Sequence, residues 1–226
     1  MNFRISVGSI EGANSFGKVV YNENNTLVES DFQELVVREN SAGSIFCLGS
    51  VKSKDKSKEI GACLDLISEQ SLHSIVSELE GRFVLFLVTQ NGLYASSDQF
   101  GKLDIYYQEN ENNITLASNF DLLPESPAKD GFNQDALVHT LTYYGYCPPK
   151  KDTLYNSVKR LGVDECAHIK NGKLTLIRQN FAIQNTQEYA DSKHDEYADI
   201  FLGHLKESAS EDGNLVFLSS GWDSTS

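Results

Sequence analysis

Late in the 226-residue chain, a continuously apolar run from Leu215 to Leu218 gives way to Ser219-Ser220-Gly221-Trp222-Asp223-Ser224. An apolar strand feeding a hydroxyl- and glycine-rich loop is an arrangement for holding phosphate. Backbone N–H groups converge on the anion, and a following helix adds its positive end. Ser219, Ser220, Ser224 and Thr225 supply hydroxyl donors, and Gly221 allows close backbone approach. Asp223 would repel phosphate unless it holds a cation, which points to Mg²⁺. Taken alone, the same string also makes a surface turn of small polar residues.

Other candidates carry less. Gly12-Ala13-Asn14-Ser15-Phe16-Gly17-Lys18-Val19 matches a phosphate-binding loop except at its last position, where Val19 has no hydroxyl for Mg²⁺. Val20, Tyr21, Thr26 and Val28 then favour strand over the helix such a loop requires, so a plain loop is expected. The four cysteines, Cys47, Cys63, Cys147 and Cys166, form no C-x-x-C pair and read as buried small hydrophobes. The five histidines show no metal-ligand spacing. The basic run Lys52 to Lys58 is interleaved with Ser and Asp and reads as a solvated loop.

The elements that must position these residues fall into two groups. Arg4 to Val7 and Ile45 to Val51 are strands bounded by Gly and Ser, and the first 65 residues read as strands throughout. Glu34 to Arg38 fits either a strand or a short helix. Leu72, Ile75, Val76 and Leu79 make one helical stripe, with Gly81 as its end. Hairpins follow over Arg82 to Ser96 with Asn91-Gly92 as the turn, over Asp104 to Ala117, and over Val163 to Ile177 with Asn171-Gly172 as the turn. Phe120 to Leu123 predicts a helical turn stopped by Pro124. Asn133 caps a helix carrying Ala136, Leu137, Thr140 and Leu141. After Phe181 a polar linker leads to an amphipathic helix marked by Tyr197, Ile200, Phe201, His204 and Leu205, ending at Asp212-Gly213-Asn214.

The expected organisation is an α+β domain over 1–180, a linker over 181–190, and over 191–226 the helix, strand and loop that open an α/β domain. That second domain is expected to be incomplete, because a lone buried strand has nothing to pair with. A net charge of −13 argues against nucleic acid as a partner. No run is apolar for long enough to span a bilayer, and the first residues lack a secretory signal, so a cytoplasmic location is expected.

Several segments together resemble the asparagine synthetase family. Leu218 to Ser224 is similar to the SGGxDS pyrophosphate loop of its ATP-pyrophosphatase domain, with Ser220 in place of the second Gly. Upstream, Gly81-Arg82-Phe83, Asp98-Gln99-Phe100-Gly101 with Tyr106-Tyr107, and Leu116-Ala117-Ser118-Asn119 resemble the family's glutaminase-type domain. So do Tyr143-Tyr144-Gly145-Tyr146-Cys147-Pro148, Thr153-Leu154-Tyr155 and Val158 to Leu161. The resemblance implies an N-terminal-nucleophile-type αββα sandwich joined to the start of an α/β ATP-pyrophosphatase domain. It implies ATP and Mg²⁺ as cofactors, with Leu218, Ser219, Ser220, Gly221 and Ser224 at the pyrophosphate and Asp223 on the metal. The expected partners are a small-molecule or peptide carboxylate and an amine or ammonia, and a homodimer is compatible with it.

The same resemblance exposes a gap. Glutaminases of this class use a cysteine as the first residue after Met removal, its thiolate attacking glutamine and its own α-amine acting as base. Position 2 is Asn, no Cys precedes Cys47, and the family's glutamine-pocket stretch is not recognisable in Ile45 to Lys58. No catalytic residue is assigned, and a degenerate glutaminase domain is expected. The rival expectation is a non-catalytic interaction or dimerisation module. Tyr143, Tyr144 and Tyr146 read as packing rather than as a ligand platform.

Overall fold

The computed structural model describes residues 2–8, 17–23, 25–33, 35–111, 113–145, 151–163, 165–178, 193–210 and 213–214. The chain divides into compact units over 1–181 and 182–226.

In the first unit, strands β1 (Phe3–Gly8), β2 (Lys18–Glu23), β3 (Thr26–Ser30), β4 (Leu35–Asn40) and β5 (Gly43–Ser53) lead to helices α1 (Ile60–Asp65) and α2 (Leu72–Glu78). Then come β6 (Leu79–Thr89), β7 (Gly92–Ser97), β8 (Tyr106–Glu109), β9 (Asn113–Ala117) and helix α3 (Gln134–His139), whose last turn widens into a π turn over Thr140–Tyr144. Strands β10 (Lys159–Arg160), β11 (Glu165–Lys170) and β12 (Lys173–Arg178) complete it. Two six-stranded antiparallel sheets result, ordered β10-β8-β9-β1-β3-β2 and β12-β11-β7-β6-β5-β4. The fold is α+β.

Alternation along the strands builds the layers. Phe3, Ile5 and Val28 of the first sheet interdigitate with Phe46, Leu48, Val84 and Phe86 of the second, with Phe3 and Phe86 meeting edge to face at 5.2 Å. The opposite face of the second sheet offers Ile45, Cys47, Phe83, Leu85 and Leu87 to α1 and α2, which cover it with Cys63, Leu64, Leu72, Ile75 and Val76. β6 is therefore apolar on both faces and reads as a continuous run. The far face of the first sheet is polar yet buried. There Arg4 Nε donates to Glu29 at 2.8 Å, the two side chains being 9% and 1% exposed.

Several expectations change. α1 lies within a stretch read as strand, and Glu34 to Arg38 resolves as strand β4. α2 ends at Glu78: Leu79 is already extended, and Gly81, expected to end the helix, sits inside β6 at φ +135. A Cβ there would come within 2.0 Å of the Ser50 carbonyl oxygen, so the glycine serves strand–strand approach rather than a helix end. In the hairpin after it, Thr89 pairs with Gly92, so Gln90-Asn91 is the turn, one place earlier than expected. Asn171 and Gly172, both at positive φ, form the turn between β11 and β12 as expected. Asn133 Oδ1 caps α3 on Ala136 N at 3.1 Å, but the π turn carries Leu141 to the surface, 73% exposed.

In the second unit, α4 (Lys193–Ser208) is described, ending before the expected Asp212-Gly213-Asn214 stop. Tyr197, Ile200, Phe201 and Leu205, the expected stripe, are exposed on it. The linker 182–187, the run Leu215 to Leu218 and the loop carrying Ser219, Ser220, Gly221, Asp223 and Ser224 lie outside the described residues, as do Cys147 and the side chains of Tyr143 and Tyr144.

Candidate functional site at the head of strand β1

β1 is central in its sheet, between β3 and β9. Asn2 precedes it, Asp31 follows β3, and Ser118 and Asn119 follow β9, so antiparallel pairing brings all four to one end. Asn2 is held on every side. Its backbone N–H and its Nδ2 both donate to the Asp31 carboxylate, the latter at 3.0 Å. Its Oδ1 accepts from Asn119 Nδ2 at 2.8 Å, and its carbonyl accepts from Asp31 N at 3.0 Å. The next residue's N–H donates to Ser118 Oγ at 3.1 Å. Burial alone would raise the Asp31 carboxyl, but the hydrogen bonds from Asn2 and the chain's terminal amine together hold the group below its ordinary value.

The second sheet packs against β1 along its length. Val7 and Gly8, at the far end of β1, line one cavity with Val88, Leu93 and Ile169, while Phe3 meets Phe86 nearer Asn2. After β7 the buried Asp98 carboxylate accepts from Phe100 N at 3.1 Å and Lys102 N at 3.0 Å, closing the loop. Lys102 Nζ reaches the Gly81 carbonyl at 3.2 Å. Lys54 Nζ bridges the Ser77 carbonyl at 2.6 Å and Gln99 Oε1 at 3.1 Å. Of the Lys52 to Lys58 segment, Lys54 to Lys58 are exposed as expected of a solvated loop, whereas Lys52 and Ser53 belong to strand β5 and pair with Glu80 and Leu79.

The arrangement orients Asn2 but gives position 2 no attacking atom, and the Ser118 hydroxyl is engaged by the Phe3 backbone. The Asn2 carboxamide has delocalised its nitrogen lone pair, and its oxygen and N–H groups already have partners. Asp31 escaped the sequence reading, and so did the pairing of Asn119 with Asn2, because each meets Asn2 across neighbouring strands with no local signal. The described cysteines offer no substitute: Cys47, Cys63 and Cys166 are buried. Cys47 lies in β5 between Val36 and Leu85, and burial pushes its thiol up to about 12. Burial drives Cys166 to about 12 as well, against a lowering hydrogen bond from Ala95. Cleavage before Cys47 would cut β5 in mid-strand and break its pairing with both β4 and β6.

Two cavities lie at the opposite end, roughly 20 Å away along β1. The larger, about 620 Å³, is bordered by Tyr21, Asn40, Ser68, Glu69 and Thr89. Glu69 there accepts from Thr89 Oγ1 at 2.9 Å, Asn91 Nδ2 at 3.1 Å and Tyr94 OH at 3.2 Å, and His168 stacks on Tyr94 with ring centroids 4.1 Å apart. These donors are used up in holding the turn between β6 and β7. Among the described residues no group of three or more His, Cys, Asp or Glu side chains could hold a metal, and no helix is long and apolar enough to cross a membrane.

A family model for the glutamine amidotransferase domain matches residues 61–182, more than half of the chain. The chain belongs to this glutamine amidotransferase domain family. The matched span runs from α1 through β12 and carries the Asp98 loop, Ser118 and Asn119. Asn2 and Asp31 fall before it. The amidotransferase domain is also similar in structure to glutamine phosphoribosylpyrophosphate (PRPP) amidotransferase from B. subtilis complexed with ADP and GMP. That likeness has 8% identity and a TM-score of 0.44 over 80% of this chain. It spans 44% of that chain, less than half its length. No curated protein matches.

Proposed function

We propose that this amidotransferase domain hydrolyses no glutamine and is the N-terminal part of an asparagine-synthetase-like ligase. In that reading ATP activates a carboxylate as an acyl-adenylate, pyrophosphate leaves, and nitrogen attacks. With no ammonia made on the chain, the nitrogen is free ammonia or an amine of the substrate itself. The observation that carries the reading is Asn2 at the head of β1, its carboxamide tied to Asp31 and Asn119. The sequence of the loop supports the ATP step. Ser219, Ser220, Gly221 and Ser224, with Leu218 leading in, would hold pyrophosphate. Asp223, one carboxylate among hydroxyls, is a donor set suited to Mg²⁺ shared with phosphate oxygens.

Two measurements test it. Glutamate release from glutamine should stay at background with purified chain. Pyrophosphate release from ATP, assayed with the longest natural polypeptide over a panel of carboxylates, should need a carboxylate and should not respond to glutamine. Glutamate release at enzymatic rates would overturn the first half.

A second reading is a non-catalytic interaction module. Ser220 favours it, because a Cβ where the family has Gly narrows the approach to phosphate. Under this reading no carboxylate elicits pyrophosphate release, and Ser220→Gly does not create it.

A further inference from the structure

The inter-sheet core stays open at the end of the sandwich opposite Asn2. A cavity of about 420 Å³ lies there between turns from both sheets, those after β2, β6 and β11. Its walls are Val7 of β1, Val88 of β6, Leu93 of β7 and Ile169 of β11, all part of the inter-sheet cluster or packed against it. Apolar walls with a few polar groups suit a small organic ligand.

Thr26 is the buried polar group in the wall. It opens β3, pairs with Val7, and shares the inward facing of Val28 two residues on. It is 4% exposed, yet its hydroxyl makes no hydrogen bond among the described residues. Leaving a buried hydroxyl without a partner is unfavourable, and Val would fill the same space without that cost.

Lys170 supplies charge. It is the one charged residue lining the cavity, and Lys173 stands directly opposite it across the β11–β12 turn. Like charges so placed repel. In a chain with 32 acidic against 19 basic residues, neither lysine forms an ion pair among the described residues. The Lys170 ammonium reaches Asn91 Oδ1 at 3.4 Å, while Asn91 Nδ2 is turned to Glu69.

We propose that this cavity binds a small aliphatic monocarboxylate. Its hydrocarbon body lies against Val7, Val88, Leu93 and Ile169, and its carboxylate accepts from the Thr26 hydroxyl and the Lys170 ammonium. An amine would meet Lys170 as a like charge, a neutral alcohol would leave the ammonium unused, and inorganic phosphate has no apolar surface for the walls. The net charge of −13 opposes any anion from a distance. At about 0.15 M salt that repulsion is screened beyond about 8 Å, and contacts inside the cavity decide. The site lies at the other end of β1 from Asn2, so it does not rest on the reading of that residue.

Titration of the full chain with hexanoate, followed by calorimetry and by amide chemical shifts, tests the proposal. The expected result is saturable binding at one site, shifts grouped on Val7, Thr26, Leu93 and Ile169, weaker binding of hexanol and hexylamine, and none of inorganic phosphate. Thr26→Val keeps the shape and should weaken hexanoate about tenfold, and Lys170→Gln about threefold, while Lys206→Gln on α4 leaves it unchanged. Should Thr26→Val fail to fold, Lys170→Gln and the shift map of the unsubstituted chain decide. Hexanoate that does not saturate at millimolar concentration overturns the proposal, as does binding that shifts amides elsewhere. So does hexanol binding as tightly as hexanoate, or an affinity that neither Thr26→Val nor Lys170→Gln alters.

Discussion

Asn2 fills its position with hydrogen bonds where an amide hydrolase would keep a reactive atom. Asn2→Ala removes two side-chain bonds and should cost about 1–2 kcal/mol in urea unfolding while glutamate release stays at background. The pair of Arg4 and Glu29 matters more to stability. Arg4→Met takes the guanidinium from a carboxylate that is 1% exposed, and a loss of about 3–5 kcal/mol is expected, most of it recovered by adding Glu29→Leu. Unfolding curves of the single and double variants check both. An unchanged midpoint for Arg4→Met would show that the pair is not buried in solution.

Among the elements, glycines in similar backbone regions separate by what surrounds them. Gly81 in β6 has φ +135 and its missing Cβ would lie 2.0 Å from the Ser50 carbonyl oxygen; Gly172 has φ +70 with nothing within 4 Å. Gly172→Ala should cost about 1–2 kcal/mol from the left-handed backbone alone. Gly81→Ala must also push β5 away from β6 and should cost more than about 3 kcal/mol or prevent folding. Thermal melts of the two variants side by side give the comparison. From sequence each reads as a place where an element ends, Gly81 closing a helix and Gly172 in a hairpin turn. Only strand pairing separates them.

For the whole molecule, pH dependence follows from groups whose ionisation the fold opposes. Burial raises Cys47 and Cys166 from 9.0 to about 12, and Tyr107 from 10.0 to about 12, the last also by Glu165. Tyr94 rises to about 12 through burial and the neighbouring Glu69 carboxylate. A folded value above the unfolded one means full stability below the unfolded value and loss as pH climbs toward the folded one. Stability should therefore fall steadily between pH 9 and 12, as followed by circular dichroism, and thiol reagents should modify Cys47 and Cys166 only on unfolding. Asp31 and Glu69 act at the acid side. Burial opposes ionisation of both, but hydrogen bonds hold their folded values down, so their contribution is present above the ordinary 3.8 and 4.5 and fades as pH falls below them.

By itself the sequence determined the parts with strong local chemistry. These are the period of α2, the Asn171-Gly172 turn, the Asn133 cap, the apolar run of β6 and the absence of a thiol at position 2. Each follows from neighbours within a few residues. α1 escaped because six residues, with no side-chain cap and only Cys63 and Leu64 buried, give too short a period to separate helix from strand. Tertiary structure alone decided that Gly81 belongs to a strand, that Leu141 faces water, and that Asp31 and Asn119 hold Asn2. These depend on contacts between residues up to 117 positions apart, which exist only once two sheets have stacked and strands have chosen their neighbours.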